Sequence, residues 1–180
     1  MSETEHPSVT KFRKACQELG VKGSIVKTKD TARTAEEAAA TLGVEVGQIV
    51  KSLVFEADGE TVLVLTSGEN KVDTNKVAKA FNVSKVSKAD ADKTREATGY
   101  AIGGVPPLAH ATKMKILIDE TFKKFNEIWA AGGHPHYVFA TSFDELVNLD
   151  ISDYEKINLI NIHQPKNYLE CKEYYEKYFK

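Results

Sequence analysis

Lys51 and Ser52 lie near the start of an apolar run, and they are the first residues of this chain that suggest chemistry. The run Ile49-Val50-Lys51-Ser52-Leu53-Val54-Phe55 has the length and composition of a buried β-strand. A lysine in such a run must reach a pocket or a surface, because an unpaired buried ammonium is costly. Lys51 is therefore the first candidate for a functional cation. The alternative is that the strand begins one residue later and Lys51 lies in solvent at its edge.

Two glycine-rich stretches could bring backbone close to a ligand. The first is Gly99-Tyr100-Ala101-Ile102-Gly103-Gly104-Val105-Pro106-Pro107-Leu108, and the second is Ala130-Ala131-Gly132-Gly133-His134-Pro135-His136. Paired glycines and prolines do not continue a helix or a strand, so each stretch is predicted to be a fixed loop.

Two histidines follow the second pair of glycines. Alternate residues of a strand point the same way, so His134 and His136 could chelate a metal. Pro135 breaks that geometry and no third ligand is spaced nearby, which disfavours a metal site. A neutral imidazole also suits a general base, and that alternative stays open beside a plain pocket wall or a solvent-facing turn.

These residues must be positioned by a regular framework of helices and strands. Helical spacing predicts a helix over 7–19 with Ser8 as its cap, and Thr34 with Glu37 forms a capping box for a second helix ending at Leu42. Asp58-Gly59 predicts a hairpin turn between the central strand and 61–66. Further elements are predicted as helices over 74–81, 90–98 and 144–149, strands over 115–119 and 137–140, and a short helix or turn over 121–128. Continuous apolar strands need cover on both faces, which predicts a mixed α/β fold.

Composition indicates a single-domain protein without a membrane span. The chain has 180 residues, 42% of them hydrophobic and 28% charged, and a formal net charge of −2. The acidic, polar amino terminus is unlike a signal peptide, and we expect a cytoplasmic protein. The two cysteines, Cys16 and Cys171, share no spacing with histidines, so neither a disulfide framework nor a zinc site is predicted.

The charge balance disfavours a protein that coats nucleic acid broadly. A local basic bias remains in the middle of the chain, and it has two interpretations: an edge that faces nucleic acid, or solvated helix faces. Its members are Lys71, Lys76, Lys79, Lys85, Lys88 and Lys93.

Taken together and in this order, the motifs resemble the YbaK/ProX family of trans-acting aminoacyl-tRNA deacylases. The motifs are Lys51-Ser52 after Gly47-Gln48, Ser67-Gly68 with Val72-Asp73, the loop 99–107, and Gly132-Gly133 before a late strand. The resemblance covers residues 7 to about 150. It implies a YbaK-like α/β fold, in which a mixed sheet curled towards a barrel is flanked by helices. We accordingly expect a domain over 1–150 and a C-terminal extension over 151–180 that packs on the domain or on a partner.

The resemblance also implies an activity, which is hydrolysis of the ester that joins a wrongly attached amino acid to tRNA. The family is related to the editing insertion domain of bacterial prolyl-tRNA synthetases. Its members use neither metal nor cofactor, so a water or the substrate's own groups supply the nucleophile. The implied partners are the acceptor end of an aminoacyl-tRNA and, optionally, a synthetase; the oligomeric state stays open. The alternative is a non-catalytic module of the same fold that binds tRNA or a synthetase.

Residue roles follow from the same resemblance. Lys51 matches the family's functional lysine, and Ser52 matches a small hydroxyl residue beside it, so both are catalytic candidates. Residues implied to bind the substrate come from the two loops: Gly103, Gly104, Val105, Pro106, Gly132, Gly133, His134 and His136. Only glycine lets backbone amides come so close to a carbonyl.

The chain departs from its relatives at two pocket positions. Some members have a tyrosine on the first strand, where this chain offers Val26, Lys27 or Thr28. Some have an aspartate late in the second loop, where this chain continues through 134–138. Amino-acid specificity therefore does not transfer, and a small substrate such as serine, threonine or alanine is our expectation.

Overall fold

The helices and strands of this protein alternate along the chain. The computed structural model describes residues 4–30, 32–148 and 158–160. The helices in these ranges are α1 (Pro7–Glu18), α2 (Ala35–Leu42), α3 (Thr74–Phe81), α4 (Ala91–Thr98) and α5 (Phe143–Asn148), with 3-10 helices at Val46–Gln48 and Glu120–Lys124. The strands are β1 (Ile25–Lys27), β2 (Val50–Ala57), β3 (Glu60–Ser67), β4 (Val86–Lys88), β5 (Lys115–Asp119), β6 (Ile128–Ala131), β7 (Tyr137–Thr141) and β8 (Asn158–Ile160).

The strands form two sheets, which confirms the mixed α/β class. The larger sheet has the order β4-β2-β3-β5-β8, in which β5 runs parallel to both of its neighbours and the other pairs are antiparallel. The smaller sheet is antiparallel with the order β1-β7-β6.

The expectation of a curled, barrel-like sheet is wrong. The two sheets meet at an isolated bridge between Ile49 and Trp129, and within the described residues the structure contains no closed or curled barrel. The pairing between the two sheets cannot continue towards the amino terminus from Ile49, because a 3-10 helix ends at Gln48, directly before it. The gap that this leaves between β2 and β6 is where the site described below lies.

The β2–β3 hairpin is the centre of the larger sheet. Asp58 and Gly59 have φ values of 48° and 91°, the left-handed conformations that a two-residue hairpin turn requires. On one face of this sheet a large apolar core fills the space towards α1 and the smaller sheet, with Phe12, Leu65 and Phe139 among its members. A second core covers the other face, so the strands are buried on both sides.

Three local expectations are corrected. His6, not Ser8, caps α1: its Nδ1 accepts a hydrogen bond from the Ser8 amide, because Pro7 already occupies the first helical position. The second glycine loop begins at Gly132, because residues 130 and 131 end strand β6. The stretch predicted as a helix or turn up to residue 128 is a 3-10 helix that ends at Lys124.

The apolar stretch 157–162 predicts an added strand, and the part of it that the structure describes, Asn158–Ile160, pairs with β5 as predicted. Helical spacing after Pro165 predicts an aromatic stripe that packs on the domain or on a second copy. Its residues lie outside the described ranges: Tyr168, Cys171, Tyr175 and Tyr178. The proposed domain boundary near residue 150 also lies there and stays a prediction.

Candidate functional site

A cavity of about 450 Å³ opens beside the first half of β2. Its lining includes 32–36 and 38 at the start of α2, 49–54 at the start of β2, 102, 103 and 105 in the first glycine loop, 129–131 of β6, and 135, 137 and 138 at the start of β7. Most lining side chains are apolar, which is typical of a small-molecule pocket of this size. Lys51, Ser52, Gly103 and Val105, all chosen from the sequence, lie on its wall.

Lys51 is half-buried, and its ammonium is held by backbone. Lys51 Nζ donates a hydrogen bond to the Asn70 carbonyl at 2.5 Å. Burial lowers the pKa of Lys51 below its usual value; the carboxylates of Glu36 and Asp119 act in the opposite direction, and Lys71 adds to the lowering. An ammonium has three donors, so two N–H groups are available to a ligand in the cavity.

Ser52 contributes a second polar group. Its Oγ is buried, and it has no hydrogen-bond partner among the residues that the structure describes. Because successive strand residues point to opposite faces, Ser52 and Lys51 present their side chains on different sides of β2.

The two glycine loops pack against each other, which explains their glycines. A Cβ at Gly104 would lie 2.9 Å from the Cα of His134, so a larger residue there would push the loops apart. A Cβ at Gly133, whose φ is +94°, would lie 2.8 Å from the Ser8 carbonyl at the start of α1. Gly103 has a φ of +86° and lies at the cavity wall.

Several residues chosen from the sequence support the loops without lining the cavity: Gly104, Pro106, Gly132, Gly133, His134 and His136. The Pro106 carbonyl hydrogen bonds His110 Nε2 at 2.7 Å, and the Gly132 amide donates to the Tyr137 carbonyl at 2.8 Å. These contacts fix the two loops beside the cavity.

Three histidine rings lie against one another at the start of α1, one pair tilted and the other stacked. The ring centroids of His6 and His134 are 4.4 Å apart, and those of His134 and His136 are 5.6 Å apart. The His136 amide donates to His134 Nδ1 at 3.3 Å. Burial, with smaller contributions from His6 and His136, lowers the pKa of His134. Within the described residues, no group of three or more His, Cys, Asp or Glu could hold a metal ion.

The sequence did not single out the residues that complete the wall. Arg33, Thr34 and Glu36 reach the cavity from the start of α2, and Trp129 reaches it from the smaller sheet. The capping box showed that a helix begins at Thr34, and here the Thr34 hydroxyl accepts from the Glu37 amide. No sequence signal placed that helix start opposite Lys51.

Two features outside the cavity bear on the sequence analysis. Burial raises the pKa of the Cys16 thiol to about 12, so this side chain acts as a core residue. No helix among the described residues is long and apolar enough to cross a membrane.

Comparisons with known proteins identify relatives across this same region. The model of a family described as an aminoacyl-tRNA editing domain matches residues 29–149. The chain is 30% identical over 129 residues to the uncharacterized protein YwhH of Bacillus subtilis (strain 168), a match that covers 71% of this chain and 82% of YwhH. It is 32% identical over 136 residues to a proline–tRNA ligase of Lactobacillus helveticus (strain DPC 4571), covering 73% of this chain and 23% of the ligase.

A solved structure matches nearly end to end. It is the crystal structure of a candidate trans-editing enzyme for prolyl tRNA synthetase, with 35% sequence identity and a TM-score of 0.81. The alignment covers 89% of this chain and 99% of that one. The similarity thus extends over a free-standing protein as well as over one segment of a much longer ligase.

Proposed function

Because this chain belongs to the aminoacyl-tRNA editing domain family, as the resemblance to YbaK/ProX proteins predicted, we propose that it is a trans-editing aminoacyl-tRNA deacylase. The substrate is a tRNA that carries a small, wrongly attached amino acid, with serine, threonine and alanine as the candidates. The reaction breaks the ester bond, adds one water, and yields free amino acid and tRNA. The observation that carries the proposal is the Lys51 ammonium on the wall of the 450 Å³ cavity.

Lys51 acts on the carbonyl of the ester. One of its N–H groups is bonded to the Asn70 carbonyl, which leaves two for the oxygen that becomes negative when a nucleophile attacks. A preorganised cation in a partly desolvated site stabilises that charge more than water does. The proposed role of Ser52 Oγ and of the backbone at Gly103 is to orient the attacking water and the substrate, which is supported by the unpartnered hydroxyl and by the position of both residues on the cavity wall.

The nucleophile is a water or a hydroxyl of the substrate, and no metal takes part in the proposed reaction. His134 and His136 do not line the cavity, so we assign neither of them a proton transfer. Their proposed role is to hold the second glycine loop, whose Pro135 forms the wall for the amino acid together with Tyr137 of β7.

Glu36 is proposed to bind the α-ammonium of the attached amino acid. It is the one carboxylate among the described lining residues, and it acts electrostatically on Lys51 across the cavity. An aminoacyl ester carries both a free ammonium and a polarised carbonyl, so a carboxylate and an ammonium in one cavity match it. Arg33 and Lys88, the other charged lining residues, suit the phosphates of the acceptor end.

The rival function is a module of the same fold that binds tRNA or a synthetase without hydrolysis. A module of that kind has no need for a half-buried ammonium whose pKa is lowered by burial. Perturbed groups in clefts are typical of catalytic sites, and this favours the enzyme.

The experiment is hydrolysis of a panel of tRNAs charged with serine, threonine, alanine, cysteine or proline. We expect release of at least one small amino acid, and a loss of about 10²-fold or more in kcat for Lys51→Ala. Lys14→Ala, an exposed lysine on α1, is the matched control and should keep the wild-type rate. No turnover under conditions where tRNA binds would support the rival function, and turnover that survives Lys51→Ala would remove Lys51 from the mechanism.

A further inference from the structure

A buried carboxylate lies at the end of β5, beyond the wall of the cavity. The side chain of Asp119 is 0% exposed. Its Oδ2 accepts from Thr66 Oγ1 at 3.3 Å, the Ser67 amide at 3.0 Å and Asn70 Nδ2 at 2.9 Å. Its Oδ1 accepts from the Thr121 amide at 2.9 Å. All four partners are donors, and therefore the environment fits an ionised carboxylate, which only accepts.

These hydrogen bonds fix the turn that follows β3. The Asn70 amide donates to the Ser67 carbonyl at 3.0 Å, and the Gly68 amide donates to the Ile49 carbonyl at 2.7 Å. The carbonyl of Asn70 is thereby aimed at Lys51 Nζ, which it meets at 2.5 Å. The side chain of Asn70 binds Asp119 while its backbone binds Lys51, so one residue connects the two charges.

Strands β2, β3 and β5 place the charges of Lys51 and Asp119 on one face of the sheet. Lys51 lies opposite Thr66 in the β2–β3 pair. Leu65 lies opposite Ile118 in the parallel β3–β5 pair. The next residues, Thr66 and Asp119, therefore also lie opposite each other, on the face of the sheet that carries Lys51. Lys51, Thr66 and Asp119 thus form a row across β2, β3 and β5.

The charges around Lys51 come from three elements. Burial lowers the pKa of Lys51, Glu36 of α2 and Asp119 of β5 raise it, and Lys71 after β3 lowers it further. The remaining charged side chains on the cavity wall are Arg33 and Lys88. No cationic side chain in the described part of the chain forms an ion pair with Asp119. A buried carboxylate without such a partner is costly, and an apolar or amide side chain would pack at lower cost.

We propose that Asp119 is the positioning residue for Lys51: through Asn70 it fixes Nζ at the cavity wall, and its negative charge balances the ammonium. This inference rests on the proposed function for the role of Lys51 in ester hydrolysis. The link between Asp119 and Lys51 is a property of the free protein and can be measured without substrate.

The test compares Asp119→Asn with the wild type in two measurements. The first measurement is the rate of deacylation, corrected for uncatalysed ester hydrolysis. We expect kcat to fall by about 10²-fold with a smaller change in KM, because displacing a catalytic group by a small distance lowers the rate of the chemical step. Lys51 must be protonated to act, so activity is lost as the pH rises through its pKa. Removal of the anion lowers that pKa further, and the basic limb of the pH–rate profile moves to lower pH.

The second measurement is the titration of the Lys51 side chain by NMR in the free protein, with the signal assigned by its loss in Lys51→Arg. Asp119→Asn should move this titration to lower pH. Asp73→Asn is the matched control: Asp73 is also a buried carboxylate, it caps α3, and it is not among the charges that act on Lys51. It should leave the titration unchanged.

A second variant covers the case in which Asp119→Asn does not fold. Asn70→Ser keeps the carboxylate but removes the Nδ2 contact, so kcat should fall while the Lys51 titration stays close to that of the wild type. A folded Asp119→Asn with an unchanged Lys51 titration would overturn the proposal, whatever its activity, and so would a fully active Asn70→Ser. If Asp119→Asn shifts the Lys51 titration but the wild type hydrolyses no aminoacyl-tRNA, the link between Asp119 and Lys51 is supported and the proposed function is contradicted.

Discussion

Glu36 and Lys51 face the same cavity with opposite charges, and this pairing makes a prediction about substrate recognition. If Glu36 binds the α-ammonium, the wild type should hydrolyse aminoacyl-tRNA faster than the same tRNA with an N-acetylated amino acid. In Glu36→Gln this preference should be smaller by about tenfold or more, because a charge-assisted hydrogen bond contributes roughly 1.5–3 kcal/mol. The measurement is kcat/KM for the two substrates with each protein.

The neighbouring carboxylate provides the control for this prediction. Glu37 Oε2 accepts from the Arg33 amide at 2.8 Å, outside the cavity lining, so Glu37→Gln should keep the wild-type preference. An equal preference in Glu36→Gln and the wild type would contradict the ammonium site and leave the role of Lys51 untouched.

At this scale the sequence predicts residues that break a pattern and misses those that follow one. Lys51 stands out because a cation interrupts an apolar strand. Glu36 does not, because it sits in an ordinary first turn of a helix beside Thr34, where carboxylates are common. Trp129 belongs to a short strand whose neighbours in space are distant in the chain, so its place on the wall could not be inferred from spacing.

The first glycine loop is anchored by a histidine that makes it sensitive to acid. His110 Nε2 bonds the Pro106 carbonyl, and burial, with a smaller contribution from Lys11, lowers the pKa of His110 from 6.5 to about 4. The unfolded chain binds the proton more readily, so the contribution of His110 to stability is present above pH 6.5 and is lost as the pH falls towards 4. Because His110 as a residue keeps part of its surface in solvent, the contribution is smaller than the full pKa shift implies, and we expect the free energy of unfolding to fall by about 2 kcal/mol over this window.

His110→Gln tests this contribution, since an amide can donate to the same carbonyl and does not titrate. Urea unfolding of both proteins at several pH values between 4 and 7 should give a shallower decline for the variant. Parallel declines in the two proteins would show that other groups cause the acid sensitivity.

Elements with strong local signals were predictable, and those that depend on partners were not. The β2–β3 hairpin follows from Asp58-Gly59 between apolar strands, and α3 follows from its cap, Asp73. Strand β6 has the sequence Ile-Trp-Ala-Ala, in which alanine has little preference for strands, and its pairing with β7 defines it.

The arrangement of the whole molecule depends on contacts between segments that are far apart in sequence. The parallel pairing of β3 with β5 joins residues more than fifty positions apart, and no periodicity along the chain encodes it. The sequence led to one curled sheet, whereas two sheets meet at Ile49 and Trp129. That separation leaves part of the β2 edge uncovered, and the cavity forms there.

The last strand of the larger sheet comes from the segment proposed as a C-terminal extension, which leads to a prediction about chain length. Asn158–Ile160 pairs with Leu117–Asp119 of β5, so a chain of residues 1–150 would lack β8 and leave that edge of β5 open. We expect such a chain to fold but to lose about 1–3 kcal/mol of unfolding free energy, the value of a few ladder hydrogen bonds, and to self-associate through the open edge.

Urea unfolding and sedimentation velocity of chains 1–150, 1–163 and 1–180 measure both effects. The chain of residues 1–163 retains β8 and is the matched control, so it should resemble the full chain at this edge. Asp119 is one of the β5 residues that lose a partner, and thus deacylation by 1–150 should also slow if the position of Asp119 sets that of Lys51. Equal stability and equal rates for 1–150 and 1–180 would instead make 1–150 a self-sufficient catalytic domain, because its sheet would then need no strand beyond β5 to hold the row of Lys51, Thr66 and Asp119 in place.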